Sequence, residues 1–225
     1  MIVVPEERRI ESPYAEWVGH GYTAADGVVM RPAEYTWHLI FTRQAGVRRV
    51  LVVGALEAAQ RLSYSGGAES LWLRFRVGTF MPYLPASLLL NRELCLPEGS
   101  GDNFWLHSDV WEIPTIENVE TFVQRLVQAG ALTSDPFIEA ALRDELADTS
   151  PRTLRYRFQH RTGLRQNTIR QIKRAERARE LLHEGNSILR TAHDLGYSDQ
   201  AHLTRSLKRI LGYTPRALLP ATQTG

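Results

Sequence analysis

The chain reads as a two-domain α+β protein: an antiparallel β-barrel with added helices, followed by an all-α carboxyl-terminal domain. Three observations predict this. Short apolar runs fill the first hundred residues and are broken at close spacing by turn residues. From Thr115 onward the apolar residues recur three and four apart instead. Charge divides along the same line. Residues 151–220 hold 15 Arg and Lys against 5 Asp and Glu, a net of +10. Residues 1–150 hold 12 against 20, a net of −8, inside a total of +2. The boundaries that follow are 1–110 for the β-rich domain, 111–134 for a helical connector and 135–220 for the basic helical domain.

A small domain with ten excess positive charges attracts a polyanion through counterion release, whereas the acidic half is not expected to bind nucleic acid directly. Cys95 is the single cysteine, so the chain forms no internal disulfide and no thiolate metal cluster. Its neighbours Leu94 and Leu96 predict a buried thiol. No run of 18 apolar residues occurs, and Glu6, Glu7, Arg8 and Arg9 follow the first residues closely. Neither a signal peptide nor a membrane span is expected, and a reducing cytoplasm fits.

In the β-rich part the candidate strands are Tyr14–Tyr22, Tyr35–Thr42, Arg49–Leu56, Ser70–Val77 and Leu88–Leu90. Leu71, Leu73, Phe75 and Val77 alternate with Trp72, Arg74 and Arg76, the two-residue period of a strand with one buried face. Ala25-Asp26-Gly27, Ala45-Gly46, Ser65-Gly66-Gly67 and Glu98-Gly99-Ser100-Gly101 supply turns. Even spacing without a βαβ rhythm predicts an antiparallel barrel or sandwich. Such a barrel encloses a ligand if its rings (Tyr14, Trp17, Tyr22, Tyr35, Trp37, Trp72) and polar groups (His20, His38, Arg74, Arg76) converge; if not, they are core and rim packing. His20 and His38 have no ordered companions, so no metal and no cofactor is expected. No nucleophile with its base and no phosphate-cradling loop is visible, so no catalytic residue is assigned. Phe80-Met81-Pro82-Tyr83-Leu84-Pro85 reads as a rigid apolar turn across one end of the barrel.

The helical part has clear start and stop signals. Val119, Phe122, Val123, Leu126 and Val127 share one helix face that ends at Gly130. Asp135-Pro136 and Ser150-Pro151 each place a capping side chain ahead of a proline preset for the first turn. After Ser150, Leu154 and Phe158 point inward while Arg152, Arg155 and Tyr156 stay outward, and Gly163 closes the helix. Guanidinium forks at 152 and 155 suit guanine or phosphate. From Asn167 a rod of about 16 residues, roughly 24 Å long, runs to Gly185. Its outward surface carries Arg170, Lys173, Arg174, Arg177 and Arg179.

Residues 187–215 complete the pattern. Ser187 caps a helix with Ile188, Ala192 and Leu195 inward, and Gly196 ends it. Ser198 is read as the next cap, with Asp199 in the first turn of a helix that buries Leu203 and Leu207. Gln200, Ala201, Thr204, Arg205 and Lys208 lie outward, and Gly212 and Pro215 close the segment. Two short helices with a small residue at their approach, the second bearing short polar and basic groups, describe a helix-turn-helix.

Ser-Pro-Arg-Thr-Leu from 150, Thr-Gly-Leu from 162, the Arg-Ala rod, Gly-Tyr-Ser-Asp-Gln from 196 and Gly-Tyr-Thr-Pro from 212 together resemble the DNA-binding domain of AraC/XylS transcription regulators over about residues 136–218. The resemblance implies seven helices, with two helix-turn-helix units joined by a long helix. It places Arg152, Arg155 and Tyr156, and then Gln200, Ala201, Thr204 and Arg205, on base-reading surfaces. Arg170, Lys173, Arg174, Arg177 and Lys208 are the phosphate contacts expected beside them. Leu154, Phe158, Ala192, Gly196, Leu203, Leu207 and Pro215 fall on scaffold positions. The chain departs from the family where Leu-Arg-Asp-Glu-Leu-Ala-Asp-Thr from 142 is shorter and more acidic than the usual positioning helix of the first unit. Arg31-Pro32 leading into Trp37–Phe41, and Phe75–Pro82, are similar to the cupin-like sensor domains of some members.

The expectation is a sequence-specific transcription regulator that binds a double-stranded DNA operator. RNA polymerase is an expected partner, and a small-molecule effector and a homodimer are further ones; no membrane is. The alternatives are an architectural DNA-binding protein without effector, and a cupin-type enzyme tethered to DNA.

Overall fold

The computed structural model describes residues 2–146 and 149–220. In chain order the strands of the first hundred residues are β1 (Ile2–Arg9), β2 (Ala15–Thr23), β3 (Gly27–Arg31), β4 (His38–Gln44), β5 (Val47–Val53), β6 (Gln60–Tyr64), β7 (Ala68–Phe75) and β8 (Thr79–Phe80). A helical turn α1 (Ala86–Leu89) precedes β9 (Glu93–Leu96), β10 (Asn103–Leu106) and β11 (Asp109–Glu112). Then come α2 (Val119–Gln128), β12 (Thr133–Ser134), α3 (Pro136–Leu142), α4 (Pro151–Thr162), α5 (Gln166–His183), α6 (Ile188–Asp194) and α7 (Gln200–Ile210), with a 3-10 turn at Pro215–Leu218.

Of the described residues, those within Met1–Val28, Tyr35–Ala55 and Ser63–Gln166 form one compact unit. Those within Val29–Glu34, Leu56–Leu62 and Asn167–Gly225 form another. This membership cuts across the divisions expected at 110 and 134. α3 and α4 group with the sheet, and two segments of the β-rich half group with α5, α6 and α7.

The first unit is built on a six-stranded antiparallel sheet in the order β1-β2-β7-β4-β5-β9. The expected antiparallel β-rich domain takes this form: a sheet with β1 and β9 as its end strands, covered on its inner face by α2 and the β10–β11 hairpin. Leu39 pairs with Leu73 and Phe41 with Leu71 across β4 and β7, so alternate residues of both strands face one core. Phe122 of α2 meets Phe41 edge-on at 5.8 Å and Trp111 at 6.1 Å, which seats the helix on that face. Trp37 stacks on Phe75 at 3.9 Å, and its indole N–H donates to the Thr79 carbonyl at 2.7 Å. It is therefore a core ring, not a ligand contact.

Two sequence expectations are corrected here. Leu88–Leu90 is not a strand: Ala86–Leu89 turns helically after Pro85, and only Leu89 of that turn is buried. The Cys95 thiol is exposed, not buried. β9 is an edge strand in which Leu96 alone reaches the core, so apolar neighbours at 94 and 96 do not bury the residue between them. β1 was not anticipated, because its charged Glu6–Arg9 run reads as solvated; as an edge strand it tolerates that.

In the second unit Ile169, Ile172, Ala175, Ala178 and Leu182 form the buried stripe of α5. Thr191 and Ala192 of α6, and Leu203, Leu207 and Ile210 of α7, are buried in the same unit. Among the described residues no helix is long and apolar enough to cross a membrane.

Candidate nucleic-acid interface

α3 begins where the Asp135 carboxylate accepts the Phe137 amide at 3.1 Å, with Pro136 in the first turn. The Ser150 hydroxyl oxygen accepts the Thr153 amide at 3.1 Å, and α4 ends at Gly163 with φ of 75°. A side chain at 163 would collide with the Ala86 carbonyl at 2.8 Å, so glycine is required there twice over. Eight residues separate Leu142 from Pro151, and no helix occurs among the described ones; residues 147 and 148 of the stretch singled out in the sequence lie outside the described residues. Among the described residues from Asp135 to Leu218 there are five α-helices and a 3-10 turn, where the resemblance implies seven helices. α3 and α4 are therefore two capped helices joined by an eight-residue connection, not by a tight turn.

The arginines of α4 divide into two sets. Arg157 lies 3.6 Å from Asp135, and its guanidinium sits 4.3 Å from the Phe137 ring centroid. Arg161 lies 3.5 Å from the same carboxylate and 4.0 Å over Phe80. These two fasten the helix to its own unit. Arg152 and Arg155 are exposed and turned away from that anchor, and Tyr156 is 67% exposed, its ring tilted 5.6 Å from His160. Phe158 is fully buried, as expected; Leu154 is only half-buried.

α6 starts at Ser187, whose hydroxyl accepts the Arg190 amide at 3.2 Å, and Gly196 follows it with φ of 67°. The cap of α7 is Asp199, one residue later than expected: its carboxylate accepts the His202 amide at 2.6 Å. That bond, aided by the Arg205 charge, holds the Asp199 carboxyl below its ordinary range. Ser198 is left to share a 3.2 Å hydrogen bond with the His202 ring. Gln200, Ala201, Arg205 and Lys208 are exposed on α7. Thr204 is half-buried and donates its hydroxyl proton to the Gln200 carbonyl at 2.8 Å. Leu203 and Leu207 are fully buried, Ala192 and Pro215 are buried, and Pro215 opens the closing 3-10 turn.

On α5, Arg170, Lys173 and Arg177 are exposed, and Arg177 pairs with Glu180 at 2.8 Å. Arg174 differs. It is half-buried, with its guanidinium 4.2 Å over the ring of Tyr197, the buried residue of the turn between α6 and α7. One feature escaped the sequence altogether. The Ala33 amide donates to the Ile210 carbonyl at 2.7 Å and the Ala59 amide to the Arg209 carbonyl at 2.8 Å, so the last turn of α7 is closed by the segments 29–34 and 56–62. Met30 fills the space where a side chain at Gly212 would lie. Carbonyl acceptors carry no sequence signature, so the pattern along the chain could not disclose this.

The geometry defines a helix-turn-helix: α6 and α7 at a glycine turn, their apolar faces buried, with a polar and basic row left outward. Residues 145–220 match the family described as "Helix-turn-helix domain". Over 101 residues the chain is 38% identical to the HTH-type transcriptional regulator VirS of Mycobacterium tuberculosis, in each of two strains. That match covers 44% of this chain and 28% of the relative, so the chain spans well under half the length of these curated relatives. Among solved structures, ToxT from Vibrio cholerae is similar at a TM-score of 0.43 and 10% identity, over 89% of this chain and 96% of that one. A second, apo ToxT structure gives 0.41 and 10%, over 93% and 98%.

Proposed function

We propose that the protein is a sequence-specific transcription regulator that binds a double-stranded DNA operator, with its sheet-rich unit receiving a small-molecule effector. The observation that carries this reading is the sorting of basic and polar side chains on two capped helices. On α4, Arg157 and Arg161 are spent on Asp135, Phe137 and Phe80, while Arg152, Arg155 and Tyr156 project outward. On α7, Arg209 donates to Gln171 at 2.7 Å, while Gln200, Ala201 and Arg205 project outward. Anchored cations hold the helix; outward ones address base edges, and Arg170, Lys173, Arg177 and Lys208 address phosphates. α5, 18 residues long, is a rod of about 27 Å between the two reading helices along the chain.

The reading is of a binding protein that acts without catalysis, in the cytoplasm, where the operator and RNA polymerase are. It is tested by in-vitro selection of DNA with the full chain. A shared motif with contacts in two half-sites is the expected outcome; equal retention of random duplexes at physiological salt removes the reading.

A further inference from the structure

The inner face of the six-stranded sheet does not end where the apolar core ends. Phe41 is paired with Leu71, and Leu71 with His20, so these three side chains share one face. Further along the same face Arg43 stands opposite both Arg48 and Glu69. Over this end of the sheet lies a cavity of about 540 Å³, roofed by the segment 112–117 that follows β11. The volume is that of sites for compact organic ligands, which run from about 300 to 1,000 Å³. Phe41, Leu71, Ile113 and Ile116 give it an apolar floor and wall.

The ionised groups around it do not balance. Arg43 reaches Glu69 at 3.2 Å, and His20 shares that carboxylate at 3.1 Å. Arg48 is 2.8 Å from Asp102 and also donates to the Gly101 carbonyl at 2.7 Å. Both guanidiniums of the lining are therefore engaged with a carboxylate. Glu6, Glu112 and Glu117 remain, three exposed carboxylates with neither guanidinium on them; the one further basic group of the lining is the His20 ring, which stands opposite Glu6 in the sheet, already shares Glu69 and also acts on Glu117, so the carboxylates stay in excess. The Thr115 hydroxyl and a backbone amide donate to Glu117 and hold its carboxyl below the ordinary range, so it stays ionised. An anionic ligand would meet this rim at a loss, and a neutral one would leave it uncompensated.

We infer that this cavity binds a small organic cation, an ammonium group carried on an apolar or aromatic body. The body lies against Phe41, Leu71, Ile113 and Ile116, and the ammonium lies among Glu6, Glu112 and Glu117. This ligand is the effector of the regulator proposed above, and the inference rests on that reading for its regulatory meaning.

Calorimetric titration of the full chain tests it with phenethylamine and tryptamine, their neutral counterparts 2-phenylethanol and tryptophol, and 3-phenylpropionate. The amines are expected to bind at least about tenfold more tightly than the alcohols, and the carboxylate least of all. The double variant Glu112→Gln/Glu117→Gln, altered only at exposed positions, is expected to lose that preference with its thermal midpoint unchanged. Equal binding of amine and alcohol, preference for the carboxylate, or no heat from either amine up to about 10 mM overturns the inference. So does an unaltered preference in the double variant. Binding of the selected operator is measured on the same preparation. Operator binding without amine binding sinks the cavity assignment alone, and amine binding without operator selectivity sinks the regulator reading alone.

Discussion

α4 and α7 have similar lengths, both carry a side-chain cap, and both present arginine to solvent, yet they are held in place by different forces. α7 buries Leu203, Leu207 and Ile210 along one continuous stripe. α4 buries Phe158 and Thr162 alone, and takes the rest of its hold from Arg157 and Arg161 on Asp135 and two aromatic rings. A helix that reads DNA, as proposed for both, needs only to be fixed. Apolar burial fixes it without consuming cations, whereas ionic and cation–π anchoring uses up side chains that could otherwise face DNA. The difference teaches which arginines are available, and sequence spacing alone does not separate them.

The largest expected effect tests the single ring under α4. Phe158→Ala should cost about 3–5 kcal/mol of folding free energy, since no second apolar side chain of that helix is fully buried to share the loss. Leu203→Ala on α7 should cost about 2–5 kcal/mol. Urea unfolding of each variant gives both numbers. A cost under about 1 kcal/mol for Phe158→Ala would mean the arginine anchor alone holds α4 and would reverse the comparison.

Next comes the anchor itself. Asp135→Ala removes the α3 cap and the partner of both Arg157 and Arg161, and should cost about 1–3 kcal/mol. Because those arginines are then released, nonspecific DNA affinity should hold or rise even as the melting temperature falls. Weaker DNA binding at temperatures where the variant is fully folded would show that Arg157 or Arg161 reaches DNA after all.

On α7 the outward and anchored arginines make a matched pair. Arg205→Ala should weaken binding to the selected operator by about 1–3 kcal/mol and relax preference at one position. Arg209→Ala, which breaks the bond to Gln171, should lower stability and leave base preference intact. On α5, Lys173→Ala should lower affinity for all sequences and reduce the salt slope by about one unit. Gel-shift titrations across salt, on specific and random duplexes, decide all three.

The smallest effect concerns the caps. Ser187→Ala should cost about 1 kcal/mol. The Asp199 carboxyl is held below its ordinary range in the folded chain, chiefly by the His202 amide, so its contribution is present above the unfolded aspartate value and is lost as pH falls through the lower folded value. Amide exchange at His202 followed down in pH should quicken in that acid window and not near neutrality. Quickening between pH about 6 and 7, the ordinary histidine range, would shift the role to the His202 ring.

Much of the helical half was legible in advance. Ser150, Asp135 and Ser187 carry cap signals in the sequence and act as caps; Gly163 and Gly196 signal helix ends and take positive φ. Such signals are local, each a side chain answering the orphan amides of its own helix. Asp199 was misplaced by one residue because serine and aspartate in sequence compete for the same amides. The strands were harder. β7 is legible from its alternation and β5 from its continuous apolar run, with β2 and β4 set off by the turns around them, but β1 hides behind charge, β6 lacks an apolar run and β3 is too short to stand out, since edge and ribbon strands bury little. Of the rings and polar groups put forward as ligand contacts, His20 alone lines the large cavity; the lining arises from residues such as Glu6, Glu69 and Glu112, which lie far apart in sequence.

The sequence by itself determined, to within a residue, where α4, α6 and α7 begin, which half carries the positive charge, and the apolar stripes that α5 and α7 bury. Those properties depend on neighbours within a few residues, so the order of residues suffices. The fold alone decided which arginines of α4 are anchored, that residues 29–34 and 56–62 close the last turn of α7, and that three carboxylates gather over an apolar floor. Each depends on groups brought together from distant parts of the chain, and backbone carbonyls and pairing register have no residue letter by which they could be read.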